Sequence, residues 1–371
     1  MDYQNGRLIM SDAAIPPLEA QSDFQDFIKY TLKRTLRALF VILGIITIIF
    51  ILFRIIPGDP VKQLVGKFPS AEREAIIRKL WGLDKPVWEQ FLIFLGKLIF
   101  ELDIGNSYDT SSPVMYELSI RFPATIELSL VSMLLATLVG IPIGILSAYK
   151  QHTRIDYISM VIALIGVSMP IYWLGLMLQG VFAQNLGWFI GTGRIDAALS
   201  SDLNLYPFHT NFYLIDSFVI GVMEGDWAYL VSTINHLILP ATALATIPMA
   251  VIARMMRSSM IEEMRKDYVR TARSKGLRER IVIIKHVSKN ALIPTITVIG
   301  LNLGALLAGA VLTETIFSWP GVGKYVWVSI TQRDSPVIMG FVMVVAIIFV
   351  FANMITDIIY AYLDPRVRYY E

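Results

Sequence analysis

The sequence predicts an all-α integral membrane protein with six transmembrane helices. Charged residues make up only 17% of the 371 residues and hydrophobic residues 55%, whereas soluble domains carry about 25% charged residues. The apolar residues are also concentrated in separate, largely uncharged runs, each close to the length of about 20 residues that a helix needs to cross a bilayer. The predicted spans are 37–56, 128–148, 157–183, 236–253, 291–312 and 336–363.

The third run decides the topology. Residues 157–193 carry no charge over 37 positions, which corresponds to about 55 Å of helix, too long for one upright span and short for two. Lys and Arg are enriched in cytoplasmic loops, and the segment 254–289, called here the basic segment, has eleven Lys/Arg against four Asp/Glu. Counting the third run as two spans would place this segment outside. We therefore expect six spans, with both termini in the cytoplasm.

This topology divides the chain into four parts. We expect a cytoplasmic N-terminal tail at 1–36, and the first span with an extracytoplasmic helical region at 37–125. A core membrane domain at 126–364 then contains spans two to six and the basic segment as its cytoplasmic loop, and a C-terminal tail follows at 365–371. The apolar stretch 212–222 is short and interrupted by Asp216, so it is expected to pack on the surface rather than to span.

The residue types and motifs argue against catalysis by this chain. There is no cysteine, which excludes disulfides, thiolate metal sites and cysteine nucleophiles. The four histidines are far apart in the sequence. The stretch PGVGKYV at 320–326 resembles a phosphate-binding loop, but it lacks the first glycine and has Tyr325 where Ser or Thr would hold Mg²⁺. We expect no enzyme activity, no catalytic or metal-binding residues and, because acids interleave with the basic residues, no nucleic-acid partner.

Four ionisable residues lie near the ends of the predicted spans, where such groups commonly anchor a helix at the membrane surface. Interface anchoring is the favoured interpretation, with a structural ion pair or a role in translocation as the alternatives. These residues are Arg54, Glu127, Glu314 and Asp357.

Small and helix-breaking residues are concentrated in spans two to five. GIPIG at 140–144 and GLNLG at 300–304 have the small-xxx-small spacing that lets helices approach closely. Pro170, Pro240 and Pro248 are expected to kink or interrupt their helices. The pattern fits either ordinary helix packing or a bundle that opens and closes around a path.

The basic segment has helical periodicity. Apolar residues between Ser259 and Ser274 recur at spacings of three and four, which predicts an amphipathic helix, and Ser259 and Glu262 have the spacing of a capping box. Gly276 is expected to end this helix in a left-handed conformation, and a second helix to follow with Ile281, Ile284 and Val287 on one side. Two interpretations remain open from these residues alone: a surface bound to anionic lipid, or a docking site for another protein. The apolar residues of the first helix are Ile261, Met264, Tyr268 and Ala272.

A set of motifs, in the same order along the chain, resembles a known family. DYVRTARSKGL at 267–277 and NALIP at 290–294 are similar to the cytoplasmic loop of permease subunits of binding-protein-dependent ABC importers, in the dipeptide/oligopeptide/nickel branch. Flanking motifs fit the same family in the same order over about 33–368. They are RIIPGDP (54–60), LDIGNS (102–107), RFPATIEL (121–128), SMPIYWLG (168–175), HLILPATAL (236–244), ETIFSWPGVG (314–323) and LDPRVR (363–368).

The resemblance implies the type I ABC importer permease fold, also called MetI-like, in the plasma (cell inner) membrane. It implies partners: a second homologous permease subunit that completes a heterodimer, two ATP-binding subunits and an extracytoplasmic solute-binding protein. ATP and Mg²⁺ would be bound by the partner subunits, and no cofactor by this chain. The loop would dock on the ATPase, although Arg270 stands where the wider family has a glutamate. The implied coupling residues are Asp267, Tyr268, Arg270, Thr271, Ala272, Lys275, Gly276 and Leu277.

The resemblance also implies small peptides as cargo, with oligosaccharides or nickel as alternatives. Candidate pathway residues cluster at the break in the third span, with one more in the fifth: Ser168, Met169, Pro170, Tyr172, Trp173 and Asn302. An ion-coupled secondary transporter is the rival interpretation, but it requires ionisable residues at mid-membrane, which the predicted spans lack. A membrane scaffold without transport is a second rival.

Overall fold

The computed structural model describes residues 20–55, 72, 84–203, 206, 209–307 and 310–363. Within these ranges all the named secondary-structure elements are helices. Four expectations fall wholly or largely outside them: the motif at 54–60 beyond its second residue, the motif at 363–368 beyond its first, the C-terminal tail, and the first 19 residues of the N-terminal tail.

The described residues of the first half of the chain form seven α-helices. They are α1 Ala20–Ile55, α2 Val87–Gly96, α3 Val114–Tyr149, α4 Arg154–Ser168, α5 Ile171–Leu178, α6 Ala197–Leu203 and α7 Tyr213–Glu224. Two of them continue into π-helical turns: α2 through Lys97–Glu101 and α5 through Gln179–Asn185.

Seven more lie in the part of the second half that the structure describes. They are α8 Ala228–Glu263, α9 Asp267–Ser274, α10 Glu279–Ile281, α11 Ser288–Leu307, α12 Val311–Ile316, α13 Val322–Gln332 and α14 Ser335–Leu363. A π-helical segment, Val282–Val287, joins α10 to α11 without a break.

In the described ranges, five helices are long and apolar enough to cross a membrane: Ile28–Phe53 within α1, α3, α8, Glu279–Leu307 and Ser335–Ile358 within α14. The pair α4 and α5 qualifies jointly but is bent by 101°. This bend explains why the uncharged run 157–193 is too long for one upright span. The residue before Pro170, Met169, is extended with ψ 128°, as a residue preceding proline prefers.

The three prolines behave differently. Pro170 separates α4 from α5, as predicted. Pro240 and Pro248 instead lie inside α8, which is continuous from Ala228 to Glu263, so they do not interrupt the fourth span, and the alternative that they kink it stays a prediction. Both are buried, and α8 packs against α3, α4, α7 and α11. A helix can continue through proline in a bundle because neighbouring helices hold the distorted turn in place.

The two small-residue motifs bring helices into close contact, as predicted. A methyl group at Gly144 of α3 would lie 2.7 Å from the carbonyl oxygen of Ala253 in α8. On α11, a methyl group at Gly300 would overlap the side chain of Thr356 in α14. Glycine therefore sets the distance between α3 and α8 and between α11 and α14.

Gly144→Ala is expected to destabilise the protein by about 1–3 kcal/mol, the usual cost of overpacking a core, because backbone atoms of α8 cannot move aside as a flexible side chain would. Gly44→Ala in α1 is the matched control, since nothing lies within 4 Å of the added methyl group. The unfolding free energy in mixed micelles measures both. Equal effects of the two substitutions would contradict the proposed contact.

Candidate functional site

The basic segment folds differently from the prediction at its start. α8 continues to Glu263, and Ser259 is buried inside it, so a helix start and capping box at Ser259 are wrong. Met256 and Met260 are fully buried on either side of Ser259. The apolar face of the span therefore continues past this residue, and the chain turns only at 264–266, before α9.

α9 is held on the bundle by a small apolar face. Val269 is fully buried and Ala272 is 8% exposed, and both pack in a cluster with Met256, Met260 and residues of the π-helical segment. Tyr268 lies at the edge of this cluster. The other predicted coupling residues are solvent-exposed: Asp267, Arg270, Thr271, Lys275, Gly276 and Leu277.

Gly276 ends α9 in the left-handed conformation, as predicted. Its φ is +74°, and its N–H donates to the Arg273 carbonyl at 2.9 Å. Nothing lies within 4 Å of the position that a β-carbon would occupy. The requirement for glycine here therefore comes from backbone conformation alone.

Polar contacts fix the shape of the loop around α9. The Arg273 guanidinium donates to both carboxylate oxygens of Glu279, at 2.7 and 3.1 Å, and so bridges the turn at Gly276. The Tyr268 hydroxyl donates to Glu263 at 2.6 Å. Burial and this hydrogen bond raise the pKa of Tyr268 to about 12, so the hydroxyl keeps its proton at physiological pH. These contacts hold α9 in a defined position, with its exposed surface facing away from the bundle.

The second helical pattern is only partly as predicted. Val287 is buried together with Val282 and Ile283, whereas Ile281 is 43% and Ile284 58% exposed. The expected face of Ile281, Ile284 and Val287 is therefore wrong. The reason is the π-helical geometry of Val282–Val287, whose i→i+5 bonding shifts the positions that face the bundle. With Leu277, the exposed isoleucines place apolar side chains among the basic residues.

An ion pair between a buried carboxylate and a guanidinium that is 26% exposed joins three helices beside this loop, and the sequence analysis missed it. The carboxylate of Asp156 in α4, 3% exposed, accepts two hydrogen bonds from the Arg257 guanidinium in α8, at 2.7 and 2.8 Å. It also accepts from the Ser147 hydroxyl of α3 at 2.5 Å and from the His152 N–H at 3.0 Å. Sequence alone could not pair residues 101 positions apart, although both charges border predicted spans.

Arg257→Met is expected to destabilise the protein by about 3 kcal/mol, because the Asp156 carboxylate would remain buried with half of its donors. The unfolding free energy in mixed micelles measures this, and the double variant with Asp156→Asn should recover much of the loss. Arg270→Met is the control, since Arg270 and Asp267 are 3.7 Å apart and exposed. Exposed pairs contribute little. Equal stability of the Arg257 and Arg270 variants would contradict the assignment.

The break at Pro170 creates the second candidate site. A cavity of about 530 Å³ is lined by Leu164, Ile165, Ser168, Met169, Pro170, Tyr172 and Trp173. Tyr172 and Trp173 are about half exposed. Five of the six predicted pathway residues therefore lie together. The sixth, Asn302, is on α11, where its side-chain amide donates to the Val298 carbonyl at 2.8 Å, and it is not among the residues that line this cavity.

At the end of the bundle opposite the basic segment, Glu127 forms a buried ion pair rather than an anchor at the interface. Its side chain is 3% exposed and that of Arg194 5%. The Arg194 guanidinium donates to one Glu127 oxygen at 2.6 and 3.0 Å and lies over the Tyr213 ring at 3.9 Å. The other Glu127 oxygen accepts from the Leu214 N–H at 2.5 Å. Arg194 lies before α6 and also donates to the Asn211 carbonyl, so the pair fastens both the segment before α6 and the loop before α7 to α3.

Two other ionisable residues near span ends also have partners. Glu314 is fully buried and accepts hydrogen bonds from the Thr125 hydroxyl at 2.7 Å and the Lys324 N–H at 2.8 Å. Burial raises its pKa. Asp357 pairs with Arg34 of α1. Interface anchoring is thus wrong for Glu127 and Glu314, and Asp357 forms a structural ion pair; the side chain of Arg54 lies outside the described residues.

Comparison with known proteins identifies the family. Residues 140–369 match the model described as "Binding-protein-dependent transport system inner membrane component". Residues 27–129 match the corresponding model of the N-terminal region.

Similar proteins match nearly end to end. The chain is 45% identical to the dipeptide transport system permease protein DppB of Alkalihalophilus pseudofirmus, over 92% of this chain and 99% of that protein. It is 42% identical to DppB of Escherichia coli, over the same shares. It is 38% identical to the oligopeptide transport system permease protein AppB of Bacillus subtilis, again over 92% and 99%. The chain belongs to the family of inner-membrane components of binding-protein-dependent transport systems.

Proposed function

We propose that the chain is a permease subunit of an ABC importer that carries dipeptides and oligopeptides across the plasma membrane. The observation that supports this most strongly is the end-to-end match to permeases named for dipeptide and oligopeptide transport. The same match favours peptides over oligosaccharides or nickel as cargo. In this proposal the bent pair α4–α5 counts as one span, which gives six spans with both termini and the basic segment in the cytoplasm.

The proposed domain organisation follows this topology. Residues 1–36 form a cytoplasmic tail, 37–125 the first span and an extracytoplasmic helical region, 126–364 the core permease domain, and 365–371 a second cytoplasmic tail. A second homologous permease subunit completes the pathway as a heterodimer. Two ATP-binding subunits bind ATP and Mg²⁺ on the cytoplasmic side, and a solute-binding protein delivers cargo from outside. This chain carries out no covalent chemistry.

The exposed surface of α9 is the proposed coupling site. Its buried residues, Val269 and Ala272, fasten it to α8 and to the π-helical segment, so a push on α9 moves these helices. Tyr268 and Gly276 maintain the shape of the loop, through the bond to Glu263 and the left-handed turn. The proposed docking residues are Asp267, Arg270, Thr271, Lys275 and Leu277, whereas Ala272 contributes to coupling through its buried contacts.

Contacts among α9, α8 and α4 support the proposal that movement of this surface reaches the proposed pathway. α8 is continuous for 36 residues, and Arg257 connects it to Asp156 at the start of α4. α4 ends at the cavity beside Pro170. Movement of α9 driven by the ATPases would rock α8 and α4 together and change access to Ser168, Met169, Pro170, Tyr172 and Trp173. Asn302 remains a proposed pathway residue on a separate helix.

Purification of the tagged chain from membranes tests the assembly. We expect it to retain one second permease subunit and two ATP-binding subunits in a stable complex, whose ATP hydrolysis increases when peptide-loaded binding protein is added. Omitting the peptide is the matched control. A lone protein that transports solute without ATP would support the ion-coupled alternative, and a complex that lacks transport would support a scaffold.

A further inference from the structure

The helix α7 buries polar residues and exposes apolar ones, the reverse of a helix on the surface of a water-soluble protein. Its buried face carries Asp216 and Ser217, together with Ile220 and Gly221. Its exposed face carries Ile215, Phe218, Val222 and Met223, which are 53–67% exposed. A surface helix in water normally turns its apolar side inward. The medium that touches the outer face of α7 is therefore expected to be apolar.

The buried polar groups of α7 all have partners, so this orientation is stable. The Asp216 carboxylate accepts hydrogen bonds from the Thr210 hydroxyl at 2.6 Å and from the Thr210 N–H at 3.0 and 3.1 Å. The Ser217 and Thr233 hydroxyls are 2.9 Å apart. The helix is thus attached to α8 by its polar side, which leaves the apolar side free for another contact.

The contacts between α7 and α8 show how far α7 extends along the predicted fourth span. A methyl group at Gly221 would touch the Trp227 ring, and Ser217 pairs with Thr233. Leu214 packs against the buried cluster that contains Leu237 and Ala241. α7 therefore runs antiparallel to the first turns of α8, and its first residues lie level with residues inside the predicted fourth span, 236–253.

The exposed apolar surface of α7 is continuous with that of the span. Phe218 contacts Trp227 edge-on at 6.1 Å, and Val231 and Ile234 of α8 are exposed below it. Glu224 and Asp226 follow directly at the corner between the two helices and are exposed. A tryptophan between acidic residues on one side and bare apolar residues on the other is typical of the membrane–water boundary.

We propose that α7 is a re-entrant half-span in the outer leaflet, whose exposed face contacts lipid acyl chains. Trp227 would lie at the level of the headgroups, and Glu224 and Asp226 in water. The loop before α7 would then reach membrane depth through the buried pair of Arg194 with Glu127. This inference rests on the place of the chain in a bilayer and not on its cargo.

Because the chain has no cysteine, single cysteines can report on each position. Ile215→Cys and Phe218→Cys would each be labelled with a nitroxide in the assembled transporter in phospholipid nanodiscs. Collision rates with O₂, which concentrates in lipid, and with a water-soluble nickel chelate would then be measured. Phe40→Cys on the exposed face of α1, 76% exposed, is the lipid reference, and Glu224→Cys is the water reference.

We expect the labels at 215 and 218 to behave like the one at 40, with O₂ collisions exceeding nickel collisions, and the label at 224 to show the reverse. Nickel collisions that dominate at 215 and 218 would overturn the proposal, because α7 would then stand in water. Protection from both reagents would also overturn it, since a protein partner, such as the second permease, would then cover this face. Collision rates are measured separately at positions 215 and 218. If one variant assembles poorly, the other still tests the proposal.

Discussion

Gly276→Val is expected to abolish solute uptake while the assembled transporter continues to hydrolyse ATP. Gly276 has a φ of +74° with open space around it. A left-handed conformation costs an ordinary residue about 1–2 kcal/mol, and a β-branched residue more. The turn would relax by moving α9 relative to the Arg273–Glu279 bridge, and coupling to the ATPases would fail. Uptake and ATP hydrolysis by the same proteoliposomes measure the result.

Two controls separate the coupling role from general damage. Gly276→Asn should retain much of the uptake, because asparagine tolerates the left-handed conformation better than other residues. Gly225→Val places the same residue at a matched glycine, with φ +76° and no neighbour within 4 Å, at the opposite end of α8, where uptake should persist. Unchanged uptake in the Gly276→Val variant would count against docking through this loop.

Arg194→Met is expected to destabilise the protein by about 3–5 kcal/mol, because it leaves the Glu127 carboxylate buried without its charge partner. The substitution also removes the contact of the Arg194 guanidinium with the Tyr213 ring and its 2.7 Å hydrogen bond to the Asn211 carbonyl. The loop before α7 would detach from α3. The unfolding free energy in mixed micelles measures the change.

An exposed ion-pair control and a double variant test whether the effect comes from the buried Glu127 charge. Lys85→Met removes an exposed ion pair with Glu89 and should leave stability unchanged. The double variant Arg194→Met with Glu127→Gln should recover part of the loss, since the buried negative charge is then absent. A single variant as stable as the Lys85 control would show that the Glu127–Arg194 pair has no structural role.

The sequence predicted features that depend on local pattern. Among the described residues, apolar length located the helices that are long enough to span a membrane, Pro170 marked the break in the third run, and Gly276 marked the end of α9. Each of these depends on bilayer thickness or on backbone conformation, which the chain encodes over a few residues.

Features that depend on tertiary contacts were missed or misplaced. Ser259 has the residue type and spacing of a helix cap, but burial of Met256 and Met260 keeps the helix going. The π-helical turns at Val282–Val287 changed which isoleucines face the bundle. Glu127 and Arg194 are separated by 67 positions, so their pairing follows only from the fold. In each case long-range packing overrode a local signal.

Under the proposed function, this chain carries peptides inward only when ATPases act on α9. Uptake of a radiolabelled dipeptide by proteoliposomes that contain the complete transporter, with the binding protein outside and ATP enclosed, tests it most directly. Uptake is predicted to require ATP, the binding protein and an intact Gly276, and to fall to background when any one is removed. Dipeptide uptake by the chain alone, without ATP and driven by an ion gradient, would contradict this account.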